Sequence, residues 1–132
     1  MERPDARSDA RERALYLLYE AQAKKVAPAA TLELQVIEPD ALTQLLVRGV
    51  DDHLDALDAM IAERAEGWTL QRMPVLDLNI MRLAAFELLH RPDVPTAVVL
   101  NEAVELAKRY STDDSGRFVN GVLAAIAADV RG

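Results

Sequence analysis

The residues best suited to binding a nucleic acid lie near the end of the chain. An acidic and hydroxyl-rich turn over residues 111–115 is followed by Arg117, Phe118 and Asn120. An arginine can contact phosphate, an aromatic ring can stack on a base, and an amide can hydrogen-bond a base edge. The same residues also fit a structural role, in which the turn caps a helix and Phe118 belongs to the core. Spacing alone leaves both interpretations open.

A row of arginines lies near the start of the chain. Arg3, Arg7 and Arg11 follow one another at steps of four, and Arg13 is close by. Residues four apart share one face of a helix, so the spacing predicts a stripe that could contact successive phosphates. The alternative is a solvated charged face in which Asp9 and Arg13 form an ion pair.

Two further features could mark a surface that contacts a partner. Tyr16 and Tyr19 flank an apolar stripe, where a tyrosine can stack on a base, anchor a partner or lie half-buried with a solvated hydroxyl. Glu87 is a lone carboxylate in an apolar segment, and a buried charge is costly unless it is paired. Glu87 therefore forms a salt bridge, with Arg82 as one possible partner, or faces a basic protein.

The sequence holds no recognisable catalytic centre. It has no cysteine, no glycine-rich phosphate loop and no Gly-x-Ser-x-Gly motif. Asp51, Asp55 and Asp58 share a helical face near His53, but carboxylate metal sites on helices combine Glu-x-x-His pairs from several helices. A solvated acidic face is the better interpretation. We therefore expect a binding protein that is not an enzyme and that needs no cofactor or metal.

Charge and composition limit the kinds of partner. The net charge of −7 disfavours RNA binding by charge alone, because phosphate must be neutralised by lysine and arginine. Residues 1–25 carry six basic and five acidic side chains, whereas the remaining 107 residues carry a net charge of −8. The longest apolar run near the start, over 14–19, is too short for a signal peptide or a membrane span, so we expect the cytoplasm.

Apolar residues recur at steps of three and four, which is typical of amphipathic helices. We expect one all-α domain over residues 1–132, with about six or seven helices. The longest helix should run from Pro39-Asp40 to about Ile61, with Gly49 allowing close approach of another helix. Residues 76–90 are apolar on nearly every side, which predicts a central buried helix. Asp114 or Ser115 should cap the last helix.

Three segments carry a resemblance to a known family. They are Ala10-Arg11-Glu12-Arg13-Ala14 with Leu18-Tyr19, residues 77–89, and the C-terminal region with Val94-Pro95, Asn101-Glu102-Ala103 and Phe118-Val119-Asn120-Gly121-Val122-Leu123. Together they resemble the NusB transcription antitermination factors over nearly the whole chain. The resemblance implies two small three-helix subdomains. It also implies a protein that binds the boxA segment of nascent ribosomal RNA leader with ribosomal protein NusE, within the antitermination complex of RNA polymerase.

The resemblance also implies roles for individual residues. The residues expected to contact RNA are Arg7, Arg11, Arg13, Arg117 and Phe118, together with Ser115 and Asn120. The residues expected to contact NusE are Tyr19, Glu87 and Asp114.

Two departures from the family pattern leave other functions open. The first helix has Ala6-Arg7-Ser8-Asp9 where consecutive arginines are common, and Leu78 stands where a basic residue is common. One alternative is therefore a NusE-binding module whose RNA binding is weak or lost. Another is a detached RNA-binding domain related to those of rRNA methyltransferases. A homodimer is possible under each of these alternatives.

Overall fold

Seven α-helices and one short 3₁₀ turn make up the regular structure in the computed structural model, which describes residues 6–131. The helices are α1 Ala6–Lys24, α2 Pro28–Glu33, α3 Ala41–Asp52, α4 Leu54–Arg64, α5 Val75–His90, α6 Thr96–Tyr110 and α7 Asp113–Arg131, with the 3₁₀ turn at Leu70–Arg72. The all-α prediction is confirmed. Arg3 lies outside the described residues. Over residues 6–131, no helix combines the length and the apolar character needed to cross a bilayer.

The helices form two groups that share α5. In the first group α1, α2 and α3 pack against one another. In the second group α5, α6 and α7 pack together, and α4 adds a fourth helix against α5 and α7. Helix α5 also contacts α1 and α3, and eleven of its sixteen residues are buried. A helix that is apolar all round stabilises a fold by being enclosed on every side, so its central position follows from its sequence.

The prediction of a single helix from Asp40 to Ile61 is wrong. The Asp40 carboxylate caps α3 by accepting the Thr43 N–H at 2.8 Å, but α3 ends at Asp52. His53 has φ −117° and ψ 19°, outside helical geometry, and α4 follows it. Both helices pack on α5, but α3 also packs on α1 and α2 whereas α4 also packs on α7. The break therefore lets the chain pass from one group of helices to the other.

The expected close approach at Gly49 is confirmed. A Cβ atom placed on Gly49 would overlap the ring of Phe86 on α5. Glycine in a helix costs about 1 kcal/mol relative to alanine. Here that cost is offset because the absent side chain lets the Phe86 ring pack directly on the α3 backbone.

Candidate nucleic-acid interface

Helix α1 lies alongside α6. The contacts between them include Ser8 Oγ to Glu102 Oε1 at 2.6 Å, an ion pair between Glu12 and Arg109, and Tyr16 Oη to Tyr110 Oη at 2.9 Å. Residue numbers increase together along both helices, so the two helices run in the same direction. The second half of α1 therefore lies near the turn between α6 and α7.

The start of α7 lies on another side of the same helix end. Gly116 packs against Lys108, because a Cβ atom on Gly116 would lie 3.3 Å from Lys108 Cγ. Lys108 and Arg109 are consecutive on α6, yet Lys108 lies beside α7 and Arg109 pairs with Glu12 on α1. The last turn of α6 therefore separates the two segments predicted to bind RNA, and those segments flank one helix end.

The turn before α7 is organised by hydroxyl groups. The Ser115 N–H donates to Thr112 Oγ1 at 3.0 Å, and the Ser111 and Ser115 hydroxyls are 2.8 Å apart. The expected cap by Asp114 or Ser115 is therefore wrong, because Thr112 occupies the capping position, two or three residues earlier, and α7 begins at Asp113. Ser115 is buried, and its hydroxyl holds the turn together. A direct contact of Ser115 with RNA stays a prediction.

Three predicted residues on α7 are accessible. The Arg117 side chain is 76% exposed and donates to Asp114 Oδ1 at 2.6 Å, and an ion pair this exposed adds little stability. Asn120 is also exposed. Phe118 is half-buried, packs against the core on one side and faces Trp68 at 6.1 Å between ring centroids. One side of the Phe118 ring therefore packs in the core, and part of the ring remains accessible at the surface.

Arg11 is buried in a salt bridge, and its contact with RNA stays a prediction. Its guanidinium donates to both carboxylate oxygens of Glu87, from Nε at 2.9 Å and from Nη2 at 3.0 Å. Arg11 is 3% exposed and Glu87 is 2% exposed. A phosphate cannot reach the guanidinium without opening the contact between α1 and α5.

Glu87 also accepts a hydrogen bond from Arg91 at 2.7 Å. The salt-bridge interpretation of Glu87 is therefore correct, with Arg11 and Arg91 as its partners. Arg82 pairs instead with Asp58, at 2.7 Å. The Glu87 carboxylate is buried between two arginines, and its contact with a protein partner stays a prediction.

The remaining predicted residues lie along α1. Arg7 is exposed in the first turn, and Tyr19 is 45% exposed. Arg13 is half-buried, and its Nη2 donates to the Ile37 carbonyl oxygen at 2.8 Å. Part of Arg13 is thus used to hold the connection between α2 and α3.

A cavity of about 290 Å³ lies next to Phe118, where α7 meets the segment before α5. Trp68, Pro74 and Asp77 also line it. Burial raises the pKa of the Asp77 carboxyl, and the hydroxyls of Ser115 and Ser111 oppose that rise. In the part of the chain that the structure describes, Asp77 Oδ1 has no hydrogen-bond partner.

Sequence reasoning missed Lys108, Arg109, Trp68 and Asp77. The two basic residues stand directly before the predicted turn, which was the available signal. Their position beside both α1 and α7 depends on helix pairing, which the local sequence does not encode. Among residues 6–131, no group of three histidine, aspartate or glutamate side chains could hold a metal ion.

Comparisons with known proteins agree with this architecture. The sequence matches the model of the NusB family over residues 8–128. It is 47% identical over 129 residues to the transcription antitermination protein NusB of Salinispora arenicola, an alignment that covers 92% of this chain and 95% of the relative. The structure of T. maritima NusB superposes with a TM-score of 0.85 at 33% identity, covering 98% of this chain and 94% of that chain. A structure of the antitermination factors NusB and NusE in complex with dsRNA has a TM-score of 0.80 at 26% identity, covering 93% of this chain and 96% of that chain.

Proposed function

Because the chain belongs to the NusB family, we propose that it is a transcription antitermination factor that binds boxA RNA together with ribosomal protein NusE. Family membership confirms the resemblance inferred from the sequence. Curated relatives carry the name transcription antitermination protein, and one structural neighbour is a complex of NusB and NusE with dsRNA. The protein acts in the cytoplasm within the antitermination complex of RNA polymerase, by binding rather than by catalysis.

One observation carries the RNA-binding part of the proposal. The last turn of α6 lies between α1 and the start of α7, so that Lys108 and Arg109 lie beside the segment that carries Arg117 and Phe118. We call this set the α6–α7 surface. Basic side chains beside an exposed aromatic edge are what single-stranded RNA requires, because phosphates need positive charge and bases need a stacking platform. Arg7 and Asn120 extend the surface along α1 and α7.

Stacking and charge contribute separately to this binding. Stacking of one base on Phe118 supplies ~1–3 kcal/mol, independently of salt. Contacts from Lys108, Arg109 and Arg117 to phosphates release counterions, so their contribution falls as salt rises. The acidic chain supplies few such contacts, and we therefore assign the rest of the phosphate contacts to NusE.

The protein partner requires a separate surface. Tyr16 and Tyr19 are 53% and 45% exposed on α1, and an exposed tyrosine pair is typical of protein interfaces. Asp114, whose side chain is 89% exposed, lies at the start of α7 and can meet a basic residue of the partner. NusE bound between these positions would lie next to the α6–α7 surface.

The composite surface is tested by measuring boxA RNA binding with and without NusE. Fluorescence anisotropy of labelled boxA RNA at fixed salt should give weak binding to this protein alone and tighter binding when NusE is present. Scrambled RNA is the control for sequence preference. Equal affinity in the presence and absence of NusE would refute a shared surface.

The role of the basic residues is tested through salt dependence. Lys108→Ala should reduce the slope of log affinity against log salt by about 0.7, the value for one phosphate contact on a single strand. Arg48→Ala is the matched control, because Arg48 is an exposed basic residue on α3. An unchanged slope for Lys108→Ala would remove Lys108 from the surface.

A second function is favoured by a specific observation. Arg11 and Ser115 are buried, and Arg13 is partly used within the fold, so fewer basic and polar groups reach RNA than the sequence suggested. This supports a NusE-binding module with weak RNA affinity. Capture of NusE without preference for boxA over scrambled RNA would distinguish this function from the first.

A further inference from the structure

The cavity beside Phe118 is lined by both apolar and polar residues. Trp68 and Pro74 come from the segment before α5, and Phe118 comes from α7, so three apolar groups border it. Its volume of about 290 Å³ is at the lower end of the range for small-ligand pockets, ~300–1,000 Å³. A space of this size suits one planar group rather than an entire nucleotide.

The two aromatic rings meet at an angle, so a planar ligand can stack on one of them and contact the edge of the other. The ring centroids of Trp68 and Phe118 lie 6.1 Å apart with the planes tilted by 52°. Trp68 is 50% exposed, although its indole is the largest apolar side chain in the sequence. An aromatic side chain left half-exposed at the edge of a cavity is well placed to stack on a base.

Asp77 gives the cavity a carboxylate that can accept a hydrogen bond from a ligand. Its side chain is 2% exposed, and within the described range its Oδ1 atom has no hydrogen-bond partner. A buried acceptor without a donor is destabilising, and an ionised carboxylate accepts hydrogen bonds but donates none. A ligand that brings an N–H group to the Asp77 carboxylate, which lines the cavity, would therefore supply a donor in addition to the Ser111 and Ser115 hydroxyls beside it.

These observations exclude other kinds of ligand. A phosphate would be repelled by Asp77 and by Asp114, which also lines the cavity. A wholly apolar group would fill the space but leave Asp77 Oδ1 without a donor. A planar, uncharged ring that carries an amino group can pack against the apolar residues and also donate a hydrogen bond to Asp77.

We propose that this cavity binds one unpaired RNA base that carries an exocyclic amino group, stacked on one of the two aromatic rings, Phe118 or Trp68, and in contact with the other, with the amino group donating to Asp77. Adenine, cytosine and guanine meet this requirement, and aspartate is a known acceptor for the cytosine N4 amino group. Uracil has no amino group, and its N3–H donor lies between two carbonyl oxygens that a carboxylate repels, so it fits less well. The inference rests on the proposed RNA-binding function and extends it from stacking to base selection.

Trp68 provides a direct probe because it is the only tryptophan in the sequence. The full chain, mixed with NusE, is titrated with octamers of cytidine, adenosine or uridine at fixed salt while tryptophan fluorescence and RNA anisotropy are recorded. A NusE without tryptophan keeps the fluorescence signal specific. We expect the fluorescence to change on binding. We also expect the cytidine and adenosine octamers to bind about fivefold or more tightly than the uridine octamer, the lower range for a base-specific contact.

Two variants separate base selection from general binding. Asp77→Asn offers an amide that can donate to a carbonyl, so the preference against uridine should disappear while anisotropy still reports binding. Trp68→Leu, at a half-exposed position, should weaken all three octamers and keep their order. Circular dichroism of both variants checks that they fold. If Asp77→Asn does not fold, Trp68→Leu still tests whether the RNA contacts the cavity.

The outcomes distinguish this inference from the proposed function. Tight binding of boxA RNA with equal affinity for cytidine and uridine octamers would overturn the base-selective cavity and leave the antitermination function intact. RNA binding without any change in Trp68 fluorescence would do the same. Absence of binding to boxA RNA and to every octamer, with NusE present, would overturn both.

Discussion

Arg11→Met should destabilise the protein strongly while changing RNA affinity little at temperatures where the variant is folded. Arg11 donates to both oxygens of Glu87, and both side chains are at least 96% buried. Removing one partner of a buried ion pair typically costs ~3–5 kcal/mol, because the other charge remains buried. Here Arg91 still contacts Glu87 at 2.7 Å. We therefore expect a loss at the lower end, about 3 kcal/mol.

A double-mutant cycle separates the energy of the Arg11–Glu87 interaction from the individual contributions of the two side chains. Glu87→Gln should cost a similar amount, because it replaces the carboxylate by a neutral amide with one acceptor oxygen, and the Arg11 guanidinium then remains buried without a counter-charge at Glu87. Arg11→Met combined with Glu87→Leu removes both charges, and replacing a buried pair by apolar side chains is often neutral. The double variant should therefore be more stable than either single variant, which gives a coupling energy of at least ~1 kcal/mol.

Urea unfolding followed by circular dichroism measures these differences, provided that the slopes agree among variants. Arg117→Ala is the matched control. Its ion pair with Asp114 is exposed, so the variant should lose at most ~0.5 kcal/mol of stability but lose RNA affinity. The reasoning is refuted if Arg11→Met leaves stability within ~1 kcal/mol of the wild type and weakens RNA binding as Arg117→Ala does.

Three further predictions concern the fold and its ionisable groups. Gly49→Ala should destabilise the protein by about 1–3 kcal/mol in urea melts, because the new methyl group overlaps the Phe86 ring; an unchanged midpoint would contradict this packing. Asp40→Ala should cost about 1 kcal/mol at pH 7. The Thr43 N–H lowers the pKa of Asp40 below 3.8, so its stabilisation is present above that pH and is lost as pH falls further; a difference that persists at pH 2 would refute the assignment. Burial raises the pKa of Asp77 above 3.8, so ionisation of Asp77 destabilises the folded state as pH rises above 3.8. Asp77→Asn should therefore be more stable than the wild type at pH 7 but not below about pH 3.5. A variant less stable than the wild type at pH 7 would refute this.

The parts of the fold that follow from local pattern were predictable. Residues 76–90 are apolar on every side, and α5 is the central helix. The break at His53 was not predictable in this way, because the apolar spacing continues across it. The break is required by the different packing partners of α3 and α4, which is tertiary information.

The residues of the candidate site were likewise predictable only where their positions depend on local sequence. Arg117 and Phe118 were identified from residue type and lie at the surface where such residues can act. Arg11 had the same residue type and the expected spacing, but its partner Glu87 is 76 positions away in the sequence. A stripe of arginines spaced by four does not reveal which arginine faces inward, because that depends on the carboxylate that another helix presents.

The α6–α7 surface also explains why an acidic protein would need a basic partner to bind RNA. Two of its arginines are already paired with carboxylates, Arg109 with Glu12 and Arg117 with Asp114. A phosphate must compete with these carboxylates, so each new contact replaces an existing one and the net gain is small. A basic protein that binds Glu12 or Asp114 would release the arginines for RNA, and by linkage RNA would strengthen the protein contact by the same factor. The same carboxylates would then oppose RNA in the free protein and favour it in the complex, so that tight binding depends on the presence of both partners.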